Sequence, residues 1–373
     1  MPELHQSRLS MPSASLVLRA RALASQAAAL FRFLRRPTLA TSAGGYLSGL
    51  GAAVIWSGWW TVTRLGVVSD LAAADLAALR FGISGLLFLP LIWREWPTIR
   101  LVAPLQLLFM AVGAGAPYAL VAATGVRLTS AGLGGAITVG LLPAFTLILS
   151  VLFLREPVTR VLIAGIACIV AGAGCVIAGT WNAGYDGSGF GFFVVGALMW
   201  AGYTVSLRRT GLQPLTATAI ICVASLLLYT PVWLIISGPG HLFAAAPRDL
   251  LLQTIYQSLL SAIAALYCYG QAIRRLGATR ASVFAAIVPL FSVIIAAVAL
   301  HESPSMAEAA GAALLTVGAI VAARKTGTRP RPPLLSGKHQ PCFPTDGPPA
   351  GITRFKHSAS LLTRNGPNAP ERK

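Results

Sequence analysis

Between Tyr46 and Ala323 the chain is a succession of apolar runs of about 18–24 residues separated by short polar breaks. Each run is long enough to cross a ~30 Å hydrocarbon layer as a helix rising 1.5 Å per residue. The pattern predicts ten helices, at about 46–66, 72–93, 101–122, 129–153, 158–179, 189–207, 215–237, 250–272, 281–300 and 305–323. Pro and Gly interrupt several runs, which a helix packed among neighbours tolerates. Gly45, Gly49 and Ala53 recur every four residues. Such a small-residue face suits close backbone approach within the chain, and suits a homodimer equally.

The two ends read differently. Residues 1–45 hold six arginines and one acid, Glu3. They are expected to form a cytoplasmic extension lying on anionic lipid; a transit peptide or an upstream start codon are the alternatives. Residues 324–373 hold nine prolines and few apolar side chains. They cannot bury enough surface to offset chain entropy, and a disordered cytoplasmic tail is expected.

Composition agrees with a lipid-facing chain. Hydrophobic residues make up 55% and charged residues 11%, with mean hydropathy +0.72, against roughly 25% charged residues in soluble proteins. The net charge of +18 would suggest nucleic acid, but six of the basic residues precede residue 46 and ten follow residue 323. The others sit between apolar runs, as membrane topology requires, so nucleic acid is excluded as a partner. With the N-terminus inside, the inner loops hold nine arginines: Arg94, Arg100, Arg155, Arg160, Arg208, Arg209, Arg274, Arg275 and Arg280. The outer loops hold three, Arg64, Arg127 and Arg248. The bias predicts both termini inside.

An internal repeat organises the runs. LLPAFTLILSVLFLREP closes the fourth run and IVPLFSVIIAAVALHES the ninth. Pro143 and Pro289, Phe145 and Phe291, Leu154 and Leu300, and Glu156 and Glu302 all lie 146 residues apart. The same offset pairs Gly165 with Gly311 and Gly172 with Gly318. Earlier, AVIWSGWWTVTR and ALMWAGYTVSLR match at 144, pairing Trp56 with Trp200 and Gly58 with Gly202. Two units follow, residues 46–180 and 188–323. Five helices is an odd number, so the second unit must be inverted relative to the first.

Ten helices in two such units, each opening on Trp-x-Gly and closing on Pro-x-Phe…Leu-x-Glu then Gly…Gly, resemble the drug/metabolite transporter superfamily, and within it the EamA-like branch. The resemblance covers about residues 46–323. It implies a carrier of metabolites or drug-like compounds, an exporter working by alternating access in a bacterial inner membrane. Branches carrying nucleotide-sugars, and translocases of lipid on the same fold, are the alternatives. The expected fold is an all-α membrane protein of ten transmembrane helices in two inverted five-helix repeats. Its expected partners are membrane lipid and a small-molecule substrate, and no cofactor is expected.

Candidate site residues follow from the midplane rule for inverted repeats. Pro143 and Pro289 each remove a backbone donor and free a carbonyl; they either bend a gate or only set packing. Trp56, Trp59, Trp200, Tyr203, Tyr118, Tyr267 and Tyr269 are aromatic candidates for a cavity wall, with packing as the plainer reading. Arg80 is the one clear intramembrane cation. It pairs with Asp75, snorkels outward, or faces the cavity and binds a carboxylate. Glu156 and Glu302 read as loop-facing anchors at the repeat ends. No acid is expected near the midplane, which points to facilitated or exchange transport. No metal site is expected, since CxxC and Cys/His clusters are missing. The five histidines lie in tails and loops, which argues against an enzyme.

Overall fold

The computed structural model describes residues 42–155, 158–182, 188–276 and 278–323. The expectations for the two tails and for Glu156 fall outside the described residues. Within them the regular elements are helices, with no strand.

Eight helices are long and apolar enough to span a membrane. They are α2 (Ala73–Ile99), α3 (Pro104–Leu128), α4 (Ala131–Leu154), α5 (Arg160–Trp181), α6 (Ser188–Thr210), α7 (Pro214–Ile236), α8 (Pro247–Ile273) and α10 (Met306–Ala323). A ninth, α9, is a pair of segments, Arg280–Ala286 and Val288–Leu300, bent by 41°. Length and composition therefore carry eight or nine spans, where the sequence pattern predicts ten. Besides a five-residue helix at Gly240–Ala244, there remains α1 (Ser42–Val68), 27 residues long. Its three tryptophans and its Gly, Ser and Thr residues leave it less apolar than the others.

The bundle has lipid-type polarity. Small and hydroxylic residues fill the interior, with Ser57, Ser84, Ser258 and Ser292 fully buried. Large aliphatic side chains such as Leu47, Leu86, Leu152, Leu228 and Val298 point outward. A water-soluble protein would distribute these the other way round; in lipid, close packing and internal hydrogen bonds hold helices together.

The repeat is visible in specific pairs. At 146 residues' separation, Arg155 and His301 end α4 and α9, and both adopt left-handed backbone with φ of 53° and 55°. They are the non-glycine residues of positive φ among the described residues. Between α5 and α10, a Cβ on Gly165 would sit 3.0 Å from the Gly318 carbonyl, and one on Gly172 would sit 2.8 Å from the Gly311 carbonyl. Exchanging the units turns the first pair into the second. Two antiparallel helices at that distance admit only glycine.

The repeats are not in the same shape, however. Pro143 lies inside one continuous α4, while its counterpart Pro289 follows the bend in α9. Ser57 of α1 donates to the Val288 carbonyl beside that bend at 3.3 Å. In α8 the segment Ile255–Ala264 is wound as a π-helix, a local widening often found at functional sites.

Candidate functional site

The Trp-x-Gly segment of α1 sets the first wall. Gly58 is needed because the Tyr256 hydroxyl occupies the place of its Cβ, and that hydroxyl donates to the Ile55 carbonyl at 3.0 Å. This close approach of α1 and α8 brings Trp56 against Tyr269, ring centroids 5.1 Å apart. Across the units in the other sense, Trp200 of α6 meets Tyr118 of α3 at 4.8 Å. Helices α1 and α6 are repeat partners, so the two Trp–Tyr contacts are built alike. Trp59 extends the wall, stacked on Tyr118 at 6.3 Å, with its indole N–H donating to Gln257 Oε1 at 2.6 Å.

These rings enclose a cavity of about 300 Å³ between the two repeats. Trp56, Trp59, Trp60, Arg80, Tyr118, Trp200 and Tyr269 line it, with Thr138, Thr204 and Ser261 supplying hydroxyls. Its walls are mainly apolar with a few convergent polar groups, the usual make-up of a small-molecule site. Arg80 Nη1 donates to Ser261 Oγ at 2.9 Å, and its guanidinium lies 5.1 Å from the Trp59 ring and 5.6 Å from the Phe81 ring. The π-helical turn of α8 carries Ser261.

Arg80 does not pair with Asp75. Five residues on a helix is about 140° around the axis, which turns the two side chains apart. Asp75 instead accepts from the Ala72 N–H and the Trp233 indole N–H, both at 2.9 Å, capping its own helix.

A second cavity of about 370 Å³ shares Val139, Leu142, Thr204, Tyr269 and Ala285 with the first. It continues past Pro143 and Thr146 to Ser150, Thr159 and Arg208, at the bundle end that carries Arg155, Arg160 and Arg209. The opposite end is shut. There Glu302 accepts from the Ala131 and Gly132 N–H groups at 3.1 and 3.3 Å, at the start of α4. Arg64 Nη1 donates to the Arg127 carbonyl at 2.9 Å, and Gln253 to the Val62 carbonyl at 2.6 Å. The space left beside Glu302 is about 30 Å³, room for little more than a water molecule.

Of the sequence candidates, Trp56, Trp59, Arg80, Tyr118, Trp200 and Tyr269 come together on the central cavity, and Pro143 lines the passage. Tyr203 stands behind Trp200 at 5.7 Å. Tyr267 and Pro289 line neither cavity. Glu302 is an anchor to the neighbouring helix rather than to its loop, because a carboxylate is favoured at a helix N-terminus. Glu308 is buried; it accepts from the Ser305 N–H at 2.7 Å as the cap of α10. Ser261, Thr138 and Thr204 escape sequence reading, since hydroxyls in apolar runs usually bond their own helix. Among the described residues no group of three or more His, Cys, Asp or Glu side chains could hold a metal ion.

Comparison with curated proteins gives no match. A crystal structure of a protein is similar at 22% sequence identity and a TM-score of 0.51, over 75% of this chain and 96% of that one; the likeness is one of fold. Residues 43–178 and 187–324 each match the EamA-like transporter family, one repeat apiece. The chain belongs to the EamA-like transporter family.

Proposed function

We propose that this protein carries a small amphipathic organic solute across a bacterial inner membrane by alternating access, as an exporter. One observation supports this above the rest: a ring-lined cavity at the repeat interface continues to one end of the bundle and is closed at the other. In this reading α1 is the tenth span, and the arginine-rich end faces the cytoplasm with both termini, following the positive-inside bias. The conformation described is then open to the cytoplasm, ready to load cargo. Straightening α9 and bending α4 would exchange the shapes of the repeats and open the other side. No carboxylate lines the central cavity among the described residues, which favours facilitated or exchange transport over proton coupling.

Untargeted profiling of the medium from overexpressing and deletion strains tests the reading. Export predicts at least one small organic solute enriched by overexpression and depleted by deletion. An unchanged extracellular profile in both strains would count against an exporter.

A further inference from the structure

We infer that the central cavity is built for an organic monoanion: Arg80 holds the carboxylate of a compact acid whose flat apolar body lies against Trp56, Trp59, Trp200 and Tyr118. This rests on the transport reading above and names the cargo class of the same cavity.

The guanidinium has five N–H donors in a planar fork. One goes to Ser261 Oγ, a neutral hydroxyl, and the ring of Trp59 flanks the group. The titratable side chains that act on it are Cys222 and Tyr118, neither of them a carboxylate. Asp75, the acid nearest in sequence, is occupied with Ala72 and Trp233. A guanidinium held in an apolar site without a counter-charge is costly, by several kcal/mol per ion in general. A carboxylate arriving from the open end supplies that charge and fits the fork bidentately.

The same walls reject the alternatives. An amine would meet no carboxylate among the residues lining the cavity. A phosphate ester would bring a second negative charge that one guanidinium cannot match. A neutral amide would leave the cation uncompensated. The volume of about 300 Å³ among the rings is at the small end for organic-ligand sites and suits a body of one or two rings there.

The test uses the full-length protein in lipid nanodiscs, with tryptophan fluorescence quenching as the binding readout and counterflow in proteoliposomes as the transport readout. Four probes share one ring: phenylacetate, phenylacetamide, phenethylamine and phenyl phosphate. Phenylacetate is expected to bind roughly tenfold to a hundredfold more tightly than the amide, the range of a hydrogen bond to a charged group. Arg80→Gln should erase that preference, and Arg80→Lys should keep it in weakened form. If Arg80→Gln does not fold, the wild-type probe series decides alone. Equal binding of acid and amide, or tighter binding of the amine or phosphate, would overturn the anion site. Counterflow of amide or amine without preference for the acid would overturn it while leaving carriage intact. No binding and no flux of any probe would remove both.

Discussion

Gly172 of α5 and Gly311 of α10 meet backbone to backbone: a Cβ on Gly311 would lie 2.6 Å from the Gly172 carbonyl oxygen. The obstacle is main chain, so no rotamer change can relieve it. Gly311→Leu is expected to destabilise the protein by about 3 kcal/mol or more, beyond the 1–3 kcal/mol typical of core overpacking. Thermal unfolding in detergent, followed by fluorescence-detected size exclusion, measures it. Unfolding at the wild-type temperature would mean the two helices do not pack as described.

The Glu302 cap on α4 holds the far end shut. A carboxylate at a helix N-terminus contributes about 0.3–1 kcal/mol when exposed and up to ~2 kcal/mol when partly buried. Glu302→Ala should therefore shift the conformational balance several-fold toward opening. A cysteine placed at Ala136, buried beside that end, would report it through faster labelling by an impermeant maleimide. The reagent should be added from the side opposite the arginine-rich loops. Unchanged labelling would show that other contacts hold the end closed.

Trp59 is oriented by Gln257, which also donates to Thr63 Oγ1 at 3.1 Å. Gln257→Leu leaves the indole N–H and the Thr63 hydroxyl without this partner inside the bundle. A loss of about 1–3 kcal/mol of stability is expected, together with weaker binding in the cavity that Trp59 lines. Gln257→Glu keeps an acceptor for Trp59 and should bind more like the parent. Equal damage from both substitutions would rule out the orienting role.

Trp56 and Trp200 are repeat partners, each against a tyrosine of the partner helix pair α8 and α3, and should weigh alike. Aromatic pairs contribute about 0.5–1.5 kcal/mol beyond their buried area. Trp56→Ala and Trp200→Ala are each expected to raise the apparent transport KM roughly tenfold, while the Phe replacements raise it by less than about threefold. An effect confined to one of the two tryptophans would show that only one wall touches cargo.

His301 ends α9 with φ of 55°, a backbone conformation costing a side chain about 1–2 kcal/mol. His301→Gly relieves that strain, offset in part by the entropy of a glycine in the unfolded chain. A net gain of up to ~1 kcal/mol is expected in thermal unfolding. A clear loss would mean that the imidazole contributes more than its backbone strain costs.

Helix positions and the repeat are legible in the one-dimensional pattern. Apolar run length, the odd number of runs per unit and the recurrence of Pro143/Pro289 and Gly165/Gly311 are local properties of the chain. In lipid each helix satisfies its own backbone, so such local properties decide where spans fall. The aromatic half of the cavity was legible too, since a repeat that keeps Trp56 and Trp200 places both at the interface between its copies.

What the tertiary structure alone decided are relations between distant side chains and between two nearly equal shapes. Arg80 finds Ser261, 181 positions away, because a π-helical segment of α8 turns that serine inward; no pattern in α8 announces it. Asp75, five residues from Arg80, is taken by Trp233 instead. The bend falls in α9 and not in α4, though both carry the proline; at the bend Ser57 of α1 bonds the Val288 carbonyl, a contact that neither sequence copy announces. Which end is sealed by Glu302 is set by packing between the repeats, a property of neither sequence copy by itself.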